Sequence, residues 1–185
     1  MTNSGNVDLE NFRNWYVETL KPMYARRESG IAVFMLSFPL LERYLRQKNE
    51  LTPKDTLNDA FMKDLCTLFP AIENEQVARQ FWNVFRNGFL HQATLSQKTN
   101  AGKDLPAGIL SHDLRQAVAI NPDDSFLVQP VLFSQNVIQE IEQNFTVFSG
   151  VDVPLPTVNQ YRLIPEPLDG PNFYEGTSAV PISKK

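Results

Sequence analysis

Arg86-Asn87-Gly88-Phe89-Leu90-His91 gathers an arginine, an asparagine and a histidine within six residues. The rest of the chain has no comparable grouping. These three side chains suit attack on a phosphodiester. A histidine titrating near neutrality accepts or donates a proton. An arginine keeps its charge and forks onto phosphate oxygens. An asparagine beside them orients the imidazole or contacts the substrate. No metal ligand is required when the nucleophile is the 2′-hydroxyl of RNA itself.

The element that must carry these groups is a helix over residues 74–93, with Asn74 as its cap. At about 100° per residue, Phe81, Val84, Phe85 and Gly88 fall with Val77 in one apolar arc, flanked by Trp82 and Phe89. Arg86, Asn87 and His91 fall on the other side, within roughly 140° of one another. Asn83 and Leu90 lie between them. Asn87 and His91 are spaced i,i+4 and can meet.

Arg86, Asn87 and His91 resemble the R-x4-6-H element of the HEPN superfamily, which lies late in a helix of a four-helix unit, usually with a polar residue after the arginine. The resemblance covers about residues 8–95. It implies a metal-independent endoribonuclease without a cofactor, acting on RNA, in which two motifs face each other across a homodimer. It also implies a toxin or defence effector, with an antitoxin or regulatory protein as a possible partner. Other members of that superfamily are inactive and act as partners, neutralisers or binding modules. A non-catalytic interaction module, or a nucleotide-binding module using Arg86, is therefore the alternative.

Length and composition set the frame. The 185 residues fit one domain with an appendage, and thirteen phenylalanines supply bulk for a core. The net charge of −4 argues against a general nucleic-acid coat, so RNA would be held by a local basic patch. A lone cysteine, Cys66, excludes an internal disulfide and reads as a small core residue. The polar N-terminus lacks a signal-peptide core, and no apolar run reaches the ~18–20 residues of a membrane span. A cytoplasmic location without a membrane partner is expected. Phosphate loops, dinucleotide fingerprints, metal clusters and repeats are absent from the sequence.

Three helices should precede the motif. The first, to about Ser29, carries Phe12, Trp15, Tyr16, Leu20, Met23 and Tyr24 and is kinked or split by Pro22. Arg26 and Arg27 suit its C-terminus. The second follows a break at Gly30 and runs to about Gln47, with Ile31, Phe34, Met35, Phe38, Leu41 and Leu45 as its stripe and a kink at Pro39. Glu42, Arg43, Arg46 and Lys48 form its polar end; Glu42 either pairs with Arg46 at i,i+4 or reaches Arg86. The third begins at Thr52-Pro53-Lys54-Asp55, a cap, a proline and a first-turn acid, and stops at Pro70.

Beyond His91, residues 94–110 read as a loop or an irregular hairpin. Gln116–Ile120 and Ser125–Val128 read as strands joined by a turn at Asn121-Pro122-Asp123-Asp124. Pro130 opens a fifth helix that Gly150 would stop. His112, next to Asp113, is a second histidine; neighbours in an extended segment point to opposite faces, so it reads as a surface residue. The expected fold class is mainly α: a four-helix up-and-down bundle with a small β-hairpin (about 95–129) and a fifth helix (about 130–149). These make a domain over 1–150. A proline-rich arm, 151–185, would lie across the bundle or a partner's.

Overall fold

The apolar stripes fold as helices, and their phenylalanines meet around the second one. The computed structural model describes residues 9–90 and 106–148, within a compact unit spanning Met1–Leu155. His91, the loop before residue 106, the expected stop at Gly150 and the proline-rich arm lie outside the described residues. Helix α1 covers residues 9–24. Helix α2 is Gly30–Lys48, preceded by a tight turn at Arg27–Ser29. Helix α3 is Asp59–Leu68, and α4 is Glu75–Trp82, prolonged by a wider-wound segment, Asn83–Leu90. Strands β1 (Gly108–Leu110), β2 (Val118–Ile120) and β3 (Phe126–Val128) follow. Helix α5 is Pro130–Gln143, and a short turn of helix at Phe145–Phe148 completes the described chain. The fold is mainly helical with a small three-stranded sheet.

Helix α2 lies at the centre of the core through Val33, Phe34, Phe38, Leu41 and Leu45; Ile31 and Met35, expected in the same stripe, are instead exposed. Phe34 and Phe38 are fully buried. Phe34 meets Phe85 at 5.2 Å and Phe133 at 4.9 Å between ring centroids, while Phe38 meets Trp82 at 4.8 Å. These tilted and edge contacts suit the ring quadrupoles. Helix α5 packs along α2 through Phe133, Val137, Ile138 and Ile141. Where the two helices approach, small side chains replace rings. Ser37 Oγ lies 2.7 Å from the Val33 carbonyl and 2.7 Å from Ser134 Oγ, which lies 2.8 Å from the Tyr24 hydroxyl. The buried hydroxyls thereby satisfy one another.

Proline does not split α1. Pro22 lies inside the stretch Glu18–Tyr24, and the preceding turn, Arg13–Val17, is wound as π-helix, with the Glu18 N–H reaching the Arg13 carbonyl five residues back.

The third helix does not start at Thr52. The Asp55 carboxylate accepts the Thr52 N–H at 2.7 Å, and the Thr52 carbonyl accepts the Asp55 N–H at 3.1 Å. Arg46 takes the carbonyls of Thr52 and Asp55 at 2.9 and 3.1 Å. With those carbonyls engaged from the side, the segment closes as a turn. The helix begins instead at Asn58, whose side chain accepts the Phe61 N–H at 2.9 Å. It ends at Leu68, ahead of Pro70.

The hairpin expected from residues 116–128 is present but incomplete as a description. Strands β2 and β3 pair antiparallel, and the turn between them is tied by Asp123, whose carboxylate accepts the Ser125 N–H at 3.1 Å and its hydroxyl at 2.6 Å. The correction is β1, expected within a loop or an irregular hairpin of its own, which instead pairs parallel with β3 and makes it the central strand. Buried Phe126 and Val128 anchor β3 to the core, so its second edge is also in position to take a partner. No helix of the described residues is long and apolar enough to cross a membrane.

Candidate functional site

Arg86 is positioned by the winding of α4. Asn74 caps that helix, its Oδ1 accepting the N–H groups of Gln76 and Val77 at 3.1 and 3.0 Å. From Asn83 to Leu90 the helix widens to π-winding, whose backbone bonds span five residues instead of four. The 100° projection therefore fails over these eight residues, although the apolar arc holds: Phe81, Val84, Phe85 and Gly88 are buried, and Asn83 and Asn87 are exposed. Leu90, placed on the polar side by that projection, packs against the core.

The guanidinium of Arg86 has two partners. Its Nε donates to Glu42 Oε2 at 3.4 Å, and its Nη1 donates to Asn87 Oδ1 at 3.3 Å. Asn87 in turn donates from Nδ2 to Asn83 Oδ1 at 3.1 Å. The asparagine is thus oriented from one side and steadies the arginine on the other. Both readings of Glu42 hold at once: its Oε1 accepts from Arg46 Nε at 2.9 Å while its Oε2 faces Arg86. The side chains of Arg46 and Glu42 are 11% and 18% exposed, against 34% for Arg86, so the row rises from the core to the surface. Arg46, expected on a polar helix end, is instead buried, because it also reaches the loop carbonyls.

Arg46, Asn83, Arg86 and Asn87, but not Glu42, line a groove of about 390 Å³ between α4, the end of α2 and the loop 53–57. Arg79, two turns before Arg86, lines it further along, held by the Leu57 carbonyl at 3.3 Å and by Asp59 at 2.5 Å. Leu57, Met62 and Trp82 supply apolar wall. The Asp55 carboxyl is held below the usual carboxylate range, chiefly by hydrogen bonds from Thr52. The arrangement presents an arginine with a steadying amide in a groove of mixed polar and apolar lining, which is suited to gripping an anionic oxygen.

The structure brings together two of the three residues singled out from the sequence, Arg86 and Asn87; the third, His91, is outside the described residues. Arg46, Arg79 and Asn83 were not expected to contribute. Arg79 could have been found from its i,i+7 spacing to Arg86. Arg46 could not, since its role depends on where the loop 52–55 folds back.

His112 belongs elsewhere. It is half-buried over the start of α2, where a Cβ on Gly30 would collide with its ring. It borders a separate groove of about 690 Å³ with Arg27, Ile31 and β1. Asp113 does not orient it, but pairs with Arg27 at 3.7 Å. Burial pushes the Cys66 thiol up, which makes it a poor nucleophile at neutral pH and fits its packing against the core.

Comparison with family models, with curated proteins and with solved structures gives no match in any of the three.

Proposed function

We propose that this chain is a metal-independent endoribonuclease of HEPN type, built on a four-helix up-and-down bundle and acting as a homodimer with a composite site. The observation that supports it is the Arg86–Asn87 pair, steadied by Asn83 and Glu42, in a groove of mixed polar and apolar lining. In this reading His91 takes the proton of the RNA 2′-hydroxyl, or delivers one to the departing 5′-oxygen. The 2′-oxygen attacks phosphorus and the bond to the 5′-oxygen breaks, leaving a 2′,3′-cyclic phosphate and a 5′-hydroxyl. Arg86 stabilises the charge that builds on the phosphorane. Two copies of His91 divide the base and acid roles between them. A toxin or defence role, a cognate antitoxin and a cytoplasmic site of action follow from the same reading.

The test is cleavage of structured and single-stranded RNA in EDTA by wild type, His91→Ala and Arg86→Ala, each verified as folded. Loss in both variants, with cyclic ends from the wild type, is the expected result. Intact RNA with a folded wild-type dimer at catalytic concentrations overturns the proposal.

One observation favours the alternative, a non-catalytic interaction module. Ile31, Met35 and Leu36 on α2 are exposed at 55%, 45% and 44%, an apolar patch of the kind found at protein contacts. In that case His91→Ala alters association, measured by sedimentation, while no RNA is cut by any form.

A further inference from the structure

Strand β1 is an edge strand that borders the groove of about 690 Å³ at the start of α2. Its backbone is paired on one side. The Ala107 carbonyl accepts the Phe126 N–H at 2.8 Å, and the Ser111 N–H donates to the Val128 carbonyl at 2.9 Å. Alternation along the strand turns Ile109 to β3 as well. The N–H and C=O groups of Gly108 and Leu110 therefore point away from β3, and among the described residues no strand covers that edge. Both residues line the groove, with Ile31 and Ile109, exposed at 55% and 41%, as apolar wall.

The charges at this groove do not cancel. Arg27, Glu28 and His112 are on its wall. Arg27 is paired with Asp113 at 3.7 Å, and Glu28 has no ion-pair partner among the described residues. With the imidazole uncharged, one cation and two carboxylates leave one negative charge, on Glu28. Arg26 and Arg115, exposed and close in sequence, do not line the groove. A row of unpaired backbone groups matches an extended peptide, the apolar wall matches aliphatic side chains, and Glu28 matches a lysine or arginine. A second copy of this chain brings the same surplus of negative charge, so a basic partner fits the edge better than self-pairing does. We infer that β1 is a docking edge for an extended segment of a partner protein, which adds a fourth strand to the sheet and carries a basic residue between aliphatic ones. The site is distinct from the Arg86 groove: Ile31 and Arg46, one lining each, are about 22 Å apart along α2 by the helical rise. The inference does not depend on the reading of Arg86.

The probe is an acetylated, amidated peptide, Thr-Val-Lys-Val-Thr-Val, titrated into the full chain at about pH 8, above the ordinary imidazole range. Backbone amide spectra and hydrogen exchange are the readouts. The Gly108 and Leu110 amides should gain about tenfold protection or more, while Ile109 keeps what β3 already gives it. N-methylation of one alternate set of peptide residues should abolish binding; on the other set it should leave binding within about threefold, since only one set faces β1. Replacing the peptide's lysine by glutamate should weaken binding about twofold to fivefold, and Glu28→Lys should reverse that preference. Glu28 is exposed on the turn before α2, and melting verifies the fold of the variant. The N-methylated pair needs only wild type and carries the test if the variant does not fold. No binding at millimolar peptide, equal tolerance of both N-methylated sets, or a lysine preference unchanged in folded Glu28→Lys overturns the inference. So does protection of Gly108 and Leu110 in the free protein: if it fades on dilution the edge belongs to a second copy, and if it persists the chain covers its own edge.

Discussion

The two halves of α4 are one continuous helix with different windings and different work. Glu75–Trp82 is α-wound, capped by Asn74, and delivers Ala78, Phe81 and Trp82 to the core. Asn83–Leu90 is π-wound and carries Arg86 and Asn87 at the groove. Each backbone carbonyl in a wide turn gives up its ordinary partner four residues on, a less favourable arrangement found often at functional sites. The packing of Val84, Phe85 and Gly88 below holds the segment in that form. The first half is thus built for stability, and the second uses stability supplied by its neighbours to hold polar groups in register.

The contrast can be broken first at Phe81, which is fully buried and meets Phe85 at 4.8 Å and Phe126 at 5.6 Å. Phe81→Ala should cost about 3–5 kcal/mol in urea unfolding. Next comes Arg46→Ala, which removes the guanidinium donor from the Thr52 and Asp55 carbonyls, leaving Thr52 only the Asp55 N–H, and leaves Glu42 to Arg86 alone; a loss of about 2–3 kcal/mol is expected from the same measurement. Asn74→Ala removes the cap of the α-wound half and should cost about 1 kcal/mol. Arg86→Ala, in the π-wound half, should change stability by less than about 1 kcal/mol, because its ion pair is long and partly solvated. It should nevertheless weaken oligonucleotide binding by about tenfold or more. A stability loss from Arg86→Ala as large as that from Phe81→Ala would show that the two halves are not specialised.

The smallest effect concerns the turn under the groove. Asp55 has a folded-state pKa below its unfolded value, so its contribution is present above the ordinary carboxylate range and fades as pH falls through the folded value. As pH falls through and below the ordinary aspartate range, the protection of the Thr52 amide relative to its intrinsic exchange rate should drop while amides of α2 keep theirs. A parallel loss of protection in both would mean that the turn does not open independently.

The helices were legible because their stripes recur at helical spacing and because Asn74 and Pro130 punctuate them. The start at Thr52 was misleading: cap, proline and acid also compose a closed turn, and only Arg46 arriving from α2 distinguishes the two. Strand β1 was invisible, since Gly-Ile-Leu carries no alternation and is made a strand by the free edge of β3. The wide winding at Asn83 has no residue signature here either. At the site, the local pair Arg86–Asn87 could be read directly. The contact to Glu42, 44 positions away, could only be posed as one of two options, because nothing in a linear pattern tells a surface glutamate from one roofed by another helix.

The packing of α5 along α2 has a consequence for biosynthesis. The motif and the four helices around it are complete in the chain by residue 95, yet Phe34 and Phe38 rest on Phe133, which is made later. A nascent chain halted before α5 displays an aromatic face with nothing to close it. Such a chain must be sheltered by a holdase or wait for its last helix, and commitment to the fold comes late in synthesis. If the groove is an active site, a cell making this protein is not exposed to it until nearly 150 residues have left the ribosome.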